Sequence, residues 1–162
     1  MVVMNSDVEE TFLAEIAVAL RATGLEALVV GNVASILNGA PVLTRDVDLL
    51  VRKTPLNQRK LKKLAASLGG TGPLPISDLT STERIYGLRV PIDILYDQIA
   101  GKLRFAALRS RAQPVPVGGG VLTVASLADV IKSKEAAGRP KDKAVLPILR
   151  DTLAVRRAQG LP

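Results

Sequence analysis

Cysteine and histidine are both absent from the 162 residues, and each absence closes off a class of chemistry. Without cysteine there is no disulfide, no thiolate nucleophile and no Cys-ligated zinc or iron–sulfur centre. Without histidine the chain lacks the usual general base and the commonest transition-metal ligand. Aromatic residues make up only 2% and Trp is missing, which argues against a base-stacking platform for single-stranded nucleic acid. No apolar run approaches the ~20 residues of a membrane-spanning helix, and the N-terminus lacks a basic-then-apolar signal pattern; with no Cys the cytoplasm is the expected location. What remains are carboxylates, Lys, Ser/Thr and backbone groups, the set that holds a hard cation such as Mg²⁺ together with its phosphates.

The rest of the composition is that of a folded protein: 48% hydrophobic, 23% charged, mean hydropathy +0.26. A chain of 162 residues fits one domain with a real core. Charge is unevenly spread. Met1 to Asp48 holds seven acidic and two basic residues, a net of −5, whereas Leu49 to Pro162 holds eight acidic and twenty basic, a net of +12. Such a field suits nucleic acid, nucleotide phosphates or an acidic protein, and it also suits solubility alone.

Ser6 and Glu9 have capping-box spacing, and Phe12, Leu13, Ile16, Ala19 and Leu20 recur at helical period up to Gly24, predicting a first amphipathic helix. The run Ala27 to Val30 reads as a buried strand, Gly31-Asn32 as a tight turn, and Val33, Ile36 and Leu37 as a short helix. Asp46 to Val51 reads as a second strand, and Thr54-Pro55 opens a basic helix to about Leu68. Thr71 to Ser81 reads as a loop with room for an edge strand around Leu74 to Ile76. A third central strand is expected over Leu88 to Tyr96, and a helix around Gln98 to Leu108. Val115-Pro116-Val117 and Val121-Leu122-Thr123 flank three glycines and predict a hairpin at a sheet edge. Ser126 with Asp129 opens a helix to about Ala137, and Pro140 starts the last one. The pattern is α/β (α+β): a mixed sheet flanked by helices, with a C-terminal helical pair.

Two acids two apart on a strand leave the same face, so Asp46 and Asp48 converge while Val47 and Leu49 enter the core. Like charges so close raise a pKa unless a cation sits between them. An isolated Asp-x-Asp is more often two solvated acids. Asp93 changes the balance, because it is a lone acid in the apolar strand Val90-Pro91-Ile92-Asp93-Ile94-Leu95, where a buried carboxylate is costly unless paired or metal-bound. Gly31-Asn32, between a strand and a helix, offers backbone N–H groups to an anion such as a triphosphate, although Asn32 alone would serve equally as a cap. A phosphate cradle and a carboxylate trio together describe a site for a Mg²⁺-nucleotide.

Gly31-Asn32, Asn38-Gly39, Thr44-Arg45-Asp46-Val47-Asp48-Leu49-Leu50-Val51 and Ile92-Asp93-Ile94-Leu95 resemble the polymerase-β-type nucleotidyltransferase pattern. The segment Leu127 to Asp142 is similar to one in the minimal bacterial branch, which includes abortive-infection toxin enzymes. The resemblance spans roughly Leu28 to Leu149 and implies a single nucleotidyltransferase-like domain over residues 1–162. It implies that Asp46 and Asp48 bind metal, Mg²⁺ or Mn²⁺, and that Asp93 completes the site and helps activate the acceptor hydroxyl. By the same resemblance Gly31 and Asn32 hold the triphosphate of the NTP, Thr44 matches the Thr before the Asp pair among the nucleotide-binding residues, and Lys134 reaches phosphate. Arg139, Lys141 and Asp142 shape that wall, or else form a solvated helix–turn–helix with a salt bridge. Two positions depart from the pattern: Asn32 replaces the second small residue of the turn, and Val42 stands where many relatives have Arg.

Three functions follow. The first is a Mg²⁺-dependent transfer of an NMP from an NTP to a hydroxyl, with RNA, including a tRNA acceptor end, favoured by the basic second part. The second is a catalytically weak or inactive binding module, an antitoxin or regulatory partner in a two-gene toxin–antitoxin pair. The third is a basic nucleic-acid-binding domain without nucleotide chemistry, which leaves Asp93 unexplained. An apolar surface on the C-terminal helices would suit a homodimer.

Overall fold

The computed structural model describes residues 8–162. Helix α1 (Glu10–Thr23) buries Phe12, Leu13, Ile16, Ala17 and Ala19 along one stripe and ends where Gly24 turns left-handed. Glu9 is its N-cap without a side-chain cap, and Ser6 lies outside the described residues. Strand β1 (Leu28–Val30), fully buried, passes directly into α2 (Gly31–Leu37), so the expected separate turn at Gly31-Asn32 is instead the helix's first two residues. Strand β2 (Val47–Val51) is one residue shorter than expected: Asp46 lies in the bend before it. Helix α3 (Pro55–Ser67) begins as read, with Thr54 Oγ1 accepting from the Asn57 N–H at 3.0 Å.

The segment Thr71 to Ser81, read mainly as a loop, opens with β3 (Thr71–Pro75), which pairs antiparallel with β4 (Glu83–Tyr86), a strand the sequence reading did not assign. Two prolines in β3 are tolerated because it is an edge strand. Strand β5 (Ile92–Tyr96) starts later than Leu88, since Pro91 has no N–H to give the ladder. The expected helix over Gln98 to Leu108 is wrong in its first half. There β6 (Gln98–Ile99) and β7 (Leu103–Arg104) form a small hairpin, turned by Gly101 and Lys102 with φ of 91° and 57°, and α4 (Phe105–Arg111) follows. That left-handed turn is incompatible with a continuous helix.

The glycine hairpin is present as β8 (Gln113–Val117) and β9 (Gly120–Val124), with β8 at the sheet edge. Helix α5 (Leu127–Ala137) is capped by Ser126, which accepts from the Asp129 N–H at 3.2 Å. The reciprocal half of the box is absent, because the buried Asp129 carboxylate instead takes the Arg111 guanidinium at 2.8 Å. Helix α6 (Pro140–Ala158) starts at Pro140 and packs on α5.

The seven-stranded mixed sheet has the order β3-β4-β5-β2-β1-β9-β8, parallel at β2–β5 and β1–β9. Helices α1 and α3 pack together, α1 against β8–β9 and α3 against β3, while α2 packs on β1, β2 and α5. Leu49, Leu50 and Val51 are all fully buried, so β2 is covered on both faces and polar side chains are admitted only at its N-terminal end. There the sheet opens onto the cleft. Burying each large apolar side chain of this core contributes roughly 1.5–3 kcal/mol.

Candidate active site

Strand register builds the floor of the cleft. Val30 lies beside Asp48, Asp48 beside Asp93, and Asp93 beside Arg84, one row across β1, β2, β5 and β4. Asp46 joins the row from the bend. Its position is fixed by Thr44, whose buried hydroxyl donates to the Asp46 carbonyl at 3.0 Å and lies 3.4 Å from Oδ1. Thr44 thus braces an acid rather than lining the cleft. Asp46, Asp48 and Asp93 each offer a carboxylate oxygen, and these atoms lie within 4.8 Å of one another.

At that separation the neighbouring charges act on Asp48. Burial, then the charges of Asp46 and Asp93, push the Asp48 carboxyl from 3.8 up to about 7, although Lys134 and Lys141 pull the other way. The donor set is all oxygen and hard, the preference of Mg²⁺ and Mn²⁺, and a divalent cation would relieve the repulsion that Asp48 registers. The residues therefore fit such an ion.

Gly31 allows the row to close. Its φ is +66°, and a Cβ there would lie 2.3 Å from Asp48 Oδ2. Only glycine accepts both that conformation and that contact. Asn32 also lines the cleft. Its amide donates to the Leu43 carbonyl at 3.4 Å, and its Oδ1 is buried without a partner among the described residues. Val42, the other departure from the family pattern, is a core residue and brings no cation to the cleft.

The opposite wall comes from α5 and the start of α6. Lys134, Arg139 and Lys141 face a cleft of about 470 Å³ whose floor is the aspartate cluster. Asp142, fully buried, organises the first two: Arg139 donates to it from Nε at 2.7 Å, from Nη2 at 3.2 Å and from its backbone N–H at 3.2 Å, and Lys134 Nζ stands 3.6 Å away. Burial pushes the Asp142 carboxyl up, but hydrogen bonding and charge from Arg139, with Lys134 behind, hold it below the ordinary carboxylate value. Burial lowers the Lys134 ammonium, against the pull of Asp142 and Asp48. Arg139 and Lys141 are themselves exposed, so the cationic lining coexists with the helix–turn–helix salt bridge of the alternative reading, anchored on Asp142.

Sequence reasoning missed Arg84, which clamps Asp93 with Nε to Oδ1 at 2.6 Å and Nη2 to Oδ2 at 3.0 Å. It also missed Thr82 on the cleft rim. In Glu83-Arg84-Ile85-Tyr86 only Ile85 is buried, between two more exposed neighbours, a trace of period two too short to reveal the strand.

No protein-family model matches the sequence, and no curated protein matches it. Solved structures do. One is TM1012 from Thermotoga maritima, assigned as a nucleotidyltransferase: 16% identity, 90% of this chain and 92% of that one covered, TM-score 0.60. Another is the antibiotic-resistance factor ANT(2'')-Ia in solution: 15% identity, 93% and 89% covered, TM-score 0.63. The same factor in complex with adenylyl-2''-tobramycin is similar at 14% identity, 93% and 92% covered, TM-score 0.62. The chain thus has the fold of the minimal nucleotidyltransferases, with its aspartate cluster at the N-terminal end of a central strand.

Proposed function

We propose that the protein works as a single-domain, divalent-metal-dependent nucleotidyltransferase that moves an NMP from an NTP to a hydroxyl acceptor. The observation that carries this reading is the convergence of Asp46, Asp48 and Asp93 beneath a wall bearing Lys134, Arg139 and Lys141. The three aspartates would hold the cation, Mg²⁺ or Mn²⁺, which when bound supplies neutralisation of the phosphate charge that builds in the transition state. Lys134 and Lys141 pair with the β- and γ-phosphates, Arg139 closes the same side, and the Gly31-Asn32 segment borders the triphosphate. The acceptor oxygen attacks the α-phosphorus, the bond from that phosphorus to the bridging oxygen breaks, and its electron pair leaves on pyrophosphate. Asp93 accepts the acceptor's hydrogen bond, so that the hydroxyl proton departs toward its carboxylate.

RNA, including a tRNA end, is the favoured acceptor. The part of the chain from Leu49 onward carries a net +12. Beyond the three aspartates, the acid lining the cleft among the described residues is Asp142, and its charge is taken by Arg139 and Lys134. A polycation such as the tobramycin seen adenylylated with ANT(2'')-Ia would find no spare carboxylate there.

The test is incubation with Mg²⁺ or Mn²⁺, labelled NTPs and total small RNA, beside an Asp46→Ala/Asp48→Ala double variant. Label in RNA with the wild type alone is expected. Label in neither, with NTP still bound, would favour a second reading, a nucleotide-binding regulatory module in a two-gene pair. That reading draws on Arg84 occupying both Asp93 oxygens, and its partner surface would be the exposed Ile148, Val155 and Leu161.

A further inference from the structure

Asp93 differs from the other two acids of the cluster in having both oxygens taken by one guanidinium. Arg84 is its register partner on β4, and the Arg84 and Asp93 side chains are 30% and 12% exposed, so the pair is held by the sheet at the edge of the solvent-filled cleft. A bidentate arginine–carboxylate pair fixes the carboxylate plane and adds a permanent positive charge beside it. Charge at that position acts on the whole cluster. Asp93 lies within 4.8 Å of the ligand atoms of Asp46 and Asp48, so a divalent ion entering among the three is repelled by Arg84 and must share Asp93 with it.

From this we infer that Arg84 is a positioning residue with two effects: it aims Asp93 at the Asp46–Asp48 pair, and it weakens the cluster's hold on a divalent cation until triphosphate adds negative charge. The consequence is a site that holds its metal more tightly with the nucleotide than without it. This inference rests on the metal-dependent reading of the site, and the experiment separates the two. Mn²⁺ binding to the full chain is titrated by electron paramagnetic resonance, without nucleotide, for the wild type, Arg84→Gln, Arg84→Lys and Asp46→Ala/Asp48→Ala, with circular dichroism confirming the fold of each. Arg84→Gln is expected to bind Mn²⁺ about tenfold more tightly than wild type, the repulsion of one against two charges across a few ångströms of aqueous medium. Arg84→Lys keeps the charge, so its Mn²⁺ affinity stays near wild type, while loss of the fork lowers transfer rate with little change in the NTP requirement. If Arg84→Gln binds Mn²⁺ no more tightly than wild type while the double variant binds none, the inference on Arg84 is overturned and the metal site stands. If wild type and double variant bind Mn²⁺ alike, the metal site and the inference fall together.

Discussion

The most informative single substitution is Asp48→Asn, because the structure makes Asp48 a liability to the metal-free fold. Burial and two neighbouring carboxylates raise its carboxyl from 3.8 to about 7. A raised acid binds its proton more tightly folded than unfolded, so the metal-free protein loses stability as pH climbs from about 4 to about 7 and then levels off. The full interval corresponds to about 4 kcal/mol, and partial exposure to water reduces it to about 1–3 kcal/mol. Asparagine keeps the shape and removes the charge. Metal-free Asp48→Asn is therefore expected to melt about 3–10 °C above wild type at pH 8, for a chain of this size, with the gap narrowing toward pH 5. Differential scanning calorimetry in chelator across that range provides the readout. An unchanged or lower Tm at pH 8, or a gap indifferent to pH, would refute the reasoning. In Mn²⁺ the order should reverse, since only the wild type gains from the ion.

Gly31→Ala places a Cβ against Asp48 Oδ2 in a left-handed conformation, so a loss of about 2 kcal/mol is expected by urea unfolding, with a smaller Tm gain on adding Mn²⁺; a normal response to the ion would contradict the packing argument. Asp142→Asn removes the buried charge that gathers Arg139 and Lys134, and should cost about 1–3 kcal/mol and raise the KM for NTP; an unaltered KM would detach Asp142 from the cationic wall. Lys134→Gln should weaken NTP binding at least tenfold by calorimetry while leaving Mn²⁺ affinity within about twofold; equal NTP affinity would remove Lys134 from the phosphate contacts.

The contrast between Asp93 and Arg84 shows what was legible in the sequence. Asp93 stood out because a lone acid in an apolar run violates the usual cost of burial, and Asp46-Val47-Asp48 because two charges so close need an explanation. Both signals are local. Arg84 joins the cluster only through the β4–β5 register, and a strand of four residues after a polar loop carries too little periodicity to announce itself. The same limit explains the error at Gln98 to Arg104, where apolar spacing suited a helix but the Gly101-Lys102 turn made a hairpin. Asp142 was seen as part of a wall, but its complete burial and its three contacts from Arg139 depend on how α5 meets α6, which no spacing within either helix encodes.

The central claim, nucleotidyl transfer at the aspartate cluster, is tested most directly by following two labels at once in the presence of Mn²⁺ and total small RNA. With NTP labelled at the α-phosphate, label should enter RNA; with NTP labelled at the γ-phosphate, it should appear in pyrophosphate in matching amount; and Asp46→Ala/Asp48→Ala should abolish both. Entry of the γ-label into the acceptor, or transfer that survives in the double variant, would contradict it.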